Sequence, residues 1–384
     1  MEYNFEAIRA FEPKDVPAAM ERLCNEKQFM KVVSTLFPLM PKEMLKQKML
    51  SFKKSRDLQD QMVLPFLQYL EANMTTGIDF NGLENIDVSK NYLYISNHRD
   101  IILDSAFLGG KFIENGLDTM EIAIGDNLLA LPWIEDLVRV NKSFLVLRGL
   151  TPHEMLESSK RLSSYIRYTL TEKGQSVWIA QREGRAKDSD DRTQESLIKM
   201  FGMSGNGTLA ENLKELNICP ISISYEYDPC DFLKAKEFQQ KRDNPEYKKS
   251  PQDDLINMQT GVMGYKGKVV YYIAGTISDE LNKVSAQTKV KNEQAELVAK
   301  LIDRQIHKNY RIFANNKIAY DMFTGEKRFE KEYSDTEKNK FEEYLDKQIR
   351  KIDIENKDRD FLHTKMLEMY ANPLKNYLEA TVNP

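Results

Sequence analysis

The chain has 384 residues, 41% of them hydrophobic and 30% charged, and a formal net charge of −4. This composition is typical of a soluble globular protein with a substantial core, and the net charge gives no reason to expect nucleic acid as a partner. No run approaches the roughly 20 apolar residues that span a bilayer, and the first residues lack the pattern of a signal peptide. The three cysteines show neither metal-binding spacing nor even pairing, which favours a reducing cytoplasm. Any membrane contact is therefore expected to be peripheral, on the cytoplasmic face.

Residues 1–75 are predicted to be helical. Pro13 and Pro41 each stand where a first helical turn begins, a position that suits proline. Between Leu58 and Leu70 the apolar residues recur at helical spacing. Such a stripe is more often a packing face than a lipid-binding face, so we expect this region to pack against the rest of the chain.

From residue 76 short apolar runs alternate with helical segments. The predicted strands cover 77–82, 92–95, 121–124, 143–147, 176–180, 218–225 and 268–274. Helices are predicted to begin near 103 and to cover 128–138, 152–173 and a stretch around Glu211. This alternation predicts an α/β fold in which a central mixed sheet is flanked by helices.

After residue 280 the sequence becomes helical and highly charged, with candidate helices at 286–310, 327–352 and 359–378. These helices are expected to cover an edge of the sheet, bind a partner or lie on a membrane surface, although charge of this kind most often marks a solvated face. We therefore divide the chain into an N-terminal helical region (1–75), an α/β domain (76–280) and a C-terminal helical region (281–384).

A polar segment, residues 96–104, follows a predicted strand and contains His98 with two nearby carboxylates, Asp100 and Asp104. Proteins of the α/β class hold reactive groups at such strand ends. A carboxylate that binds one ring nitrogen of a histidine leaves the other free to deprotonate a hydroxyl, which is general-base chemistry. In the structural alternative, His98 ends the strand and the aspartate starts the next helix. His-Arg-Asp also begins the catalytic loop of protein kinases, but Ser105 replaces the required asparagine and the other kinase motifs are absent.

A second polar segment follows the predicted strand 176–180 and places three cations within six residues, in the sequence Arg182-Glu183-Gly184-Arg185-Ala186-Lys187. Arginine offers a planar fork of donors to a phosphate, and lysine a point charge. Gly184 allows the backbone to approach a ligand closely, and Arg148 is a further cation at another strand end. The cluster suits a phosphate site, while a charged surface loop is the alternative.

Four strand-end segments occur along the chain in a distinctive order. They are Asn97-His98 with a following Asp, Phe144 to Arg148, Glu183-Gly184-Arg185, and Cys219-Pro220-Ile221-Ser222-Ile223-Ser224-Tyr225-Glu226. In this order they resemble the motifs of the glycerophosphate acyltransferase family, whose members acylate glycerol-3-phosphate, dihydroxyacetone phosphate or lysophosphatidate. The resemblance covers roughly residues 76–280, and the ordered set is far more specific than any single motif.

The first and third motifs depart from the family pattern. The family places four residues between histidine and aspartate, whereas five residues separate His98 from Asp104 here and Leu103 takes the expected aspartate position. We predict that a one-residue bulge restores Asp104 as the partner of His98, with Asp100 as the alternative. The third motif lacks the residue that usually precedes the position of Arg185.

The resemblance implies an O-acyltransferase of phospholipid biosynthesis that moves a fatty acyl group from a thioester to a hydroxyl of a glycerol phosphate or lysophosphatidate. His98 would be the general base and Asp104 its orienting carboxylate. The implied substrate-phosphate ligands are Arg148, Glu183, Gly184, Arg185 and Lys187. The donor would be acyl-CoA or acyl carrier protein, with neither cofactor nor metal.

Two other functions are compatible with these residues. An acyltransferase of the same fold could act on another lipid acceptor. A non-catalytic lipid-binding relative is the other alternative, because the His–Asp spacing is irregular. The sequence does not decide the acceptor, the donor or the acyl chain length.

Overall fold

The computed structural model of this chain describes residues 3–129 and 131–382. Its centre is a seven-stranded sheet with the strand order β1-β7-β6-β2-β5-β3-β4. The strands are β1 (Ile78–Asn81), β2 (Leu93–Ser96), β3 (Glu121–Gly125), β4 (Ser143–Val146), β5 (Val177–Ala180), β6 (Ile218–Tyr225) and β7 (Val269–Ile273). All seven predicted strands are therefore present.

The sheet is mixed. Strands β2 to β6 are parallel where they pair, whereas β7 runs antiparallel to β6 and β1 runs parallel to β7. The predicted α/β class with a central mixed sheet is confirmed. Because β2 to β6 share one direction, their carboxyl ends meet at a single edge, and the segments that follow them lie side by side. This edge is called the carboxyl edge below.

Helices surround the sheet and form both ends of the chain. The first seven are α1 (Val16–Asn25), α2 (Lys27–Leu36), α3 (Lys42–Leu50), α4 (Ser55–Leu58), α5 (Leu64–Met74), α6 (Leu103–Glu114) and α7 (Pro132–Val140). The next five are α8 (Pro152–Thr171), α9 (Glu195–Phe201), α10 (Leu209–Lys214), α11 (Asp231–Asp243) and α12 (Pro251–Met263). The last five are α13 (Ser278–Gln287), α14 (Lys291–His307), α15 (Ala314–Thr324), α16 (Asp335–Arg350) and α17 (Arg359–Val382). None of the helices in the described part of the chain is long and apolar enough to cross a membrane.

Each face of the sheet has its own core, because successive side chains of a strand point to opposite faces. On β2, Leu93 and Ile95 join the core that includes apolar residues of α8, α9 and α14. Tyr94 joins the other core, with residues of α5 and α6. The strand is buried along its whole length, so its end is a rigid support for the segment that follows.

The terminal regions contain cores of their own. Apolar residues of α1 to α3 form one cluster, which includes Val140 at the end of α7. Residues of α15 to α17 form another with Ala235 of α11. The helical character predicted for both ends of the chain is confirmed, while the three domain boundaries stay a prediction.

Several predicted helix limits are wrong. The predicted helix 286–310 begins only at Lys291, as α14, and its first two residues belong to the end of α13. The two helices are separate because Thr288 is extended and its hydroxyl accepts a hydrogen bond from the Val290 amide, 3.1 Å away. The predicted helix 128–138 begins at Pro132, and its residue 130 lies outside the described residues. The predicted helix 327–352 begins at Asp335, after a capping box formed by Ser334 and Glu337. The insertion 226–268, which carries α11 and α12, was not predicted.

Candidate active site

The segment after β2 is fixed by the side chain of Asn97. Its Nδ2 donates to the carbonyl oxygen of Ile223 (2.8 Å) and its Oδ1 accepts from the amide of the same residue (2.8 Å). Asn97 thus continues the β2–β6 pairing by one position beyond Ser96. Beyond it, His98 borders Trp178, which belongs to one core, whereas Arg99 contacts Tyr310 of the other core. The two side chains therefore lie towards opposite faces of the sheet.

His98 contacts Asp104. Nδ1 of the ring lies 2.8 Å from Oδ2 of Asp104, and the Asp104 side chain is buried. The same oxygen accepts hydrogen bonds from the backbone amides of Arg99 (2.6 Å) and Asp100 (3.0 Å). The loop therefore wraps around this one carboxylate oxygen, and the extra residue between His98 and Asp104 is accommodated within it.

Asp100 has a different structural role. Its Oδ1 accepts hydrogen bonds from the amides of Ile102 (2.9 Å) and Leu103 (2.8 Å), so it caps the first turn of α6. Burial raises the pKa of Asp100, and the nearby Asp104 carboxylate adds to this effect. Among the described contacts Asp100 makes no bond to His98. Of the two candidate carboxylates, Asp104 is the one in contact with the ring.

The second ring nitrogen of His98 is available to a substrate. When Nδ1 donates its proton to Asp104, Nε2 is a hydrogen-bond acceptor, and no described residue bonds to it. The edge of the Trp178 ring borders the imidazole at a centroid distance of 6.0 Å. Nε1 of Trp178 donates to the hydroxyl of Ser96 (3.1 Å), which fixes the indole. The His98 side chain is 14% exposed, so a hydroxyl can reach it from the carboxyl edge.

Arg99 links this loop to the opposite face of the sheet. Its Nη2 lies 2.7 Å from Oδ2 of the buried Asp191, which also accepts from the hydroxyl of Tyr310 (2.7 Å). Nε2 of His307 lies 2.7 Å from the Asp191 carbonyl oxygen. Sequence reasoning missed this network, because its members are distant along the chain and carry no motif. It joins the end of α14 to the segment that holds His98.

Two of the predicted phosphate-binding cations are paired with carboxylates. Arg148, after β4, forms an ion pair with Glu183, after β5. Lys187 pairs with Glu237 of α11, and burial lowers the pKa of Lys187 to about 8. All of these residues lie near the carboxyl edge, but both cations already have a charged partner.

Arg185 lies beside the His98 loop. Its Nη2 donates to Oδ1 of Asn257 in α12 (3.1 Å), whereas its buried Nη1 has no partner among the described residues. Asp100 is close enough to Arg185 for the two charges to interact. Gly184 has a positive φ of 68° and open space where a side chain would stand. The structure thus brings Arg185 to the His98 loop and leaves part of its guanidinium unsatisfied.

Helix α12 covers this region closely. A Cβ atom on Gly261 would lie 2.0 Å from Oδ2 of Asp100, so only glycine permits the observed packing. Asn257 and Gly261 are four residues apart and therefore share one face of the helix. A glycine inside a helix is otherwise unfavourable, and this close approach explains its presence. Neither residue was singled out from the sequence.

No group of three or more His, Cys, Asp and Glu side chains among the described residues has an arrangement that could hold a metal ion. The chemistry available at the carboxyl edge is that of an oriented histidine beside an arginine. This combination suits removal of a proton from a substrate that carries a negative group.

Comparisons with known proteins give a family match and a structural likeness. Residues 77–224 match the family model described as Acyltransferase. No curated protein sequence matches the chain. Among solved structures, the 1-acyl-sn-glycerophosphate (LPA) acyltransferase PlsC from Thermotoga maritima is similar, with 11% sequence identity and a TM-score of 0.38. The match covers 77% of this chain and 97% of that one, and at this level it carries no weight for substrate or mechanism. The resemblance found in the sequence is confirmed by this family match, which covers residues 77–224.

Proposed function

We propose that this protein transfers a fatty acyl group from an acyl thioester to a hydroxyl of a glycerol phosphate or a lysophosphatidate, as a step of phospholipid biosynthesis. The observation that carries the proposal is the 2.8 Å contact between Nδ1 of His98 and Oδ2 of Asp104. This pair lies at the carboxyl edge, inside the segment that matches the acyltransferase family.

In the proposed reaction His98 acts as the general base. Its Nε2 takes the proton of the acceptor hydroxyl while the hydroxyl oxygen attacks the acyl carbon. The carbon–sulfur bond then breaks, and the imidazolium returns its proton to the thiolate that leaves. Asp104 holds the ring and stabilises the imidazolium, and general-base assistance of this kind contributes on the order of 10² to 10⁴ in rate. No cofactor enters this sequence of steps.

Arg185 is the residue that we assign to the acceptor phosphate. The Nη1 group that lacks a protein partner is available for a charge-assisted hydrogen bond. Gly184 leaves space beside it, and the backbone there can approach a ligand. Arg148 and Lys187 would contribute after exchanging their carboxylate partners Glu183 and Glu237 for the phosphate.

The amides of Arg99 and Asp100 are bonded to Asp104 and do not face a reacting carbonyl. An oxyanion formed during transfer therefore needs other donors, which we expect from backbone amides at the carboxyl edge. The acyl donor is acyl-CoA or acyl carrier protein. We expect the enzyme to work in the cytoplasm, where both donors are found.

The proposal is tested by an acceptor screen with the purified full-length protein. Glycerol-3-phosphate, dihydroxyacetone phosphate and lysophosphatidate are each offered with acyl-CoA and with acyl carrier protein, and products are identified by mass spectrometry. Acylation of at least one phosphate acceptor, above a control without protein, is the expected result. Absence of transfer to all three acceptors from both donors would contradict the proposal.

Transfer to a different lipid acceptor is the second candidate function. It is favoured by the pairing of Arg148 with Glu183 and of Lys187 with Glu237, which gives carboxylate partners to two of the three cations that were predicted to bind phosphate. The same screen, extended to neutral and amino-acid-containing lipid acceptors, separates the two candidates. A non-catalytic lipid-binding role would give no product with any acceptor.

A further inference from the structure

Three lysines converge on the carboxylate of Glu237 in α11. Lys187, in the segment after β5, forms an ion pair with it. Nζ of Lys241 lies 2.9 Å from Oε1 of the same carboxylate, and Nζ of Lys249 lies 3.6 Å from Oε2. Among the ion pairs of the described residues, no other carboxylate has three lysine partners. Lys187, Lys241 and Lys249 are called the lysine cluster below.

The lysine cluster holds more positive charge than its protein partners neutralise. Lys249 has one further carboxylate partner, Asp254, at 3.1 Å. Three lysines and two carboxylates leave a charge of +1 here, although the whole chain carries −4. Burial lowers the pKa of Lys187 to about 8, Glu237 opposes this shift, and the charges of Lys241 and Lys249 add to it. Because like charges repel at this range, an anion bound among the three ammonium groups is stabilised.

An aromatic ring lies beside the lysine cluster. Tyr247 is half-buried, and the contacts of the described residues include neither an aromatic partner for its ring nor a hydrogen bond to its hydroxyl. Burial raises the pKa of Tyr247, the carboxylates of Asp253 and Glu237 add to this shift, and Lys241 opposes it. The phenol therefore lies in the same charged surroundings as the cluster. An aromatic face next to cations suits a nucleotide, because the ring stacks on the base while the cations bind phosphate.

Helix α12 connects the lysine cluster with the His98 loop. Gly261 of this helix packs against that loop, whereas Asp254, the partner of Lys249, lies in the first turn. These two helix residues are seven positions apart, which corresponds to about 10 Å along the helix axis. The hydroxyl and the phosphate of a glycerol phosphate are only a few bonds apart, so that phosphate belongs close to His98, where Arg185 lies. A phosphate at the lysine cluster belongs to a longer ligand.

We propose that the lysine cluster and Tyr247 bind the nucleotide end of coenzyme A, so that the acyl donor is acyl-CoA. The ammonium groups contact its phosphates, and the ring of Tyr247 stacks on its adenine. The extended pantetheine arm then leads from the cluster to the thioester beside His98. Each ammonium has three N–H donors, so a lysine can hold Glu237 and a phosphate at the same time. The inference rests on the proposed acyl transfer and names its donor.

Acyl carrier protein, the other donor, fits the lysine cluster less well. The side chains of Lys187 and Lys249 are only 25% and 24% exposed, and that of Glu237 is 5% exposed. A phosphate on a flexible arm can enter between them. An acidic side chain on the surface of a carrier protein reaches chiefly Lys241, which is 52% exposed. A carrier protein also offers no base to Tyr247.

The first measurement is calorimetric titration of the full-length protein with CoA, with dephospho-CoA, which lacks one phosphate, and with pantetheine, which has no nucleotide. A charge variant combines Lys241→Ser with Lys249→Ser and leaves Lys187 paired with Glu237. A ring variant carries Tyr247→Leu. Thermal unfolding of every variant shows that the fold is retained.

Matched controls carry the same changes away from the lysine cluster. Lys331→Ser with Lys340→Ser removes two exposed lysines, and Tyr69→Leu removes an exposed ring. The second measurement is steady-state transfer to glycerol-3-phosphate from acyl-CoA, acyl-pantetheine and acyl carrier protein, with the KM of the donor and of the acceptor determined for every variant.

We expect the wild-type protein to bind CoA more tightly than dephospho-CoA, and both more tightly than pantetheine. The charge and ring variants should each raise the Kd for CoA about fivefold or more and leave the Kd for pantetheine unchanged. The KM for acyl-CoA should rise by a similar factor, while the KM values for acyl-pantetheine and for the acceptor stay the same. The control variants should resemble the wild type in both measurements.

Equal affinity of the wild type for CoA and pantetheine, or equal losses in the cluster and control variants, would overturn the proposal. A rise in KM confined to the acceptor would also overturn it, because the cluster would then belong to the acceptor site. A rise confined to acyl carrier protein would indicate that protein as the donor instead. Because the titration needs no turnover, CoA binding that depends on the cluster, without acylation of any acceptor, would refute the proposed reaction and support the CoA site.

Discussion

Replacement of Asp104 by asparagine should lower catalysis without unfolding the protein. Oδ2 of Asp104 accepts from Nδ1 of His98 and from the amides of Arg99 and Asp100, and an asparagine oxygen can accept all three bonds. The variant therefore keeps the loop but removes the negative charge that stabilises the imidazolium. Alanine would instead leave two buried amides without acceptors and would confuse a loss of stability with a loss of chemistry.

The magnitude follows from the contact that is weakened. A hydrogen bond to a charged partner contributes about 1.5 to 3 kcal/mol, and each 1.36 kcal/mol corresponds to a tenfold change in rate. We therefore expect Asp104→Asn to reduce kcat by about 10-fold to 150-fold. The matched control is Asp100→Asn, because Asp100 accepts only from Ile102 and Leu103 and asparagine is also a good helix cap. Its effect on kcat should stay within about threefold, since it does not touch the ring.

The assay is steady-state acyl transfer with saturating donor and acceptor, accompanied by thermal unfolding of both variants. The expected result is a large loss of kcat for Asp104→Asn and a small one for Asp100→Asn, at similar melting temperatures. If Asp100→Asn is the more damaging variant at equal stability, the assignment of Asp104 as the partner of His98 is refuted.

Three further predictions concern the surroundings of the site. Arg185→Ala should raise the acceptor KM about tenfold or more while the donor KM changes little, and Arg185→Lys should recover only part of this, because lysine keeps the charge but loses the fork. Gly261→Ala should lower the melting temperature and raise the acceptor KM, since its Cβ would lie 2.0 Å from Oδ2 of Asp100, whereas Gly109→Ala, with 3.8 Å to the nearest atom, should be tolerated. Burial lowers the pKa of His307 to about 4, so the protonated form is disfavoured in the folded state and stability should fall by about 2 kcal/mol from pH 7 to pH 5. In urea unfolding, His307→Gln should remove this contribution.

Each of these three predictions would be contradicted by a specific experimental result. An equal rise of both KM values in Arg185→Ala would point to a role in donor binding or folding. A stabilised Gly261→Ala protein would show that α12 does not approach Asp100 closely. A stability difference between wild type and His307→Gln that is the same at pH 7 and pH 5 would show that the histidine is not buried in its neutral form.

The sheet could be predicted from the sequence because its strands are short, apolar and separated by clear turns. Val177 to Ala180 and Ile218 to Tyr225 are buried along their whole length or nearly so, and such strands appear as continuous apolar runs. The polar segments that follow them then lie at one edge by the geometry of parallel strands. The placement of His98 and Arg185 near each other was predictable for this reason.

The helices that cover the carboxyl edge could not be predicted from the sequence. Helix α11 is highly charged and lacks an apolar stripe, so the insertion 226–268 gave no helical periodicity to detect. Asn257 contacts Arg185, and Gly261 packs against Asp100. Because these partners are distant along the chain, the sequence does not indicate that Asn257 and Gly261 lie at the site. A glycine within an otherwise helical stretch was the one local signal, since it indicates a close approach or a cap.

The ion pairs of Arg148 and Lys187 could not be predicted from the sequence either. Arg148 and Lys187 were predicted as phosphate ligands from their positions at strand ends, but nothing in the sequence shows that Glu183 and Glu237 lie beside them. Which of Asp100 and Asp104 bonds to His98 was undecided for a similar reason, because the spacing along the chain does not show how the loop folds. The structure separates them through the amides that each carboxylate accepts.

The measurement that tests the account most directly is acyl transfer by His98→Ala, compared with the wild-type protein and with His153→Ala as a matched control. His153 is an exposed residue in the first turn of α8, and no role in the site is assigned to it. The account predicts that His98→Ala lowers kcat by about 10² to 10⁴ at an unchanged melting temperature, while His153→Ala resembles the wild type. Turnover of His98→Ala within a few-fold of the wild type would contradict the assignment of His98 as the general base.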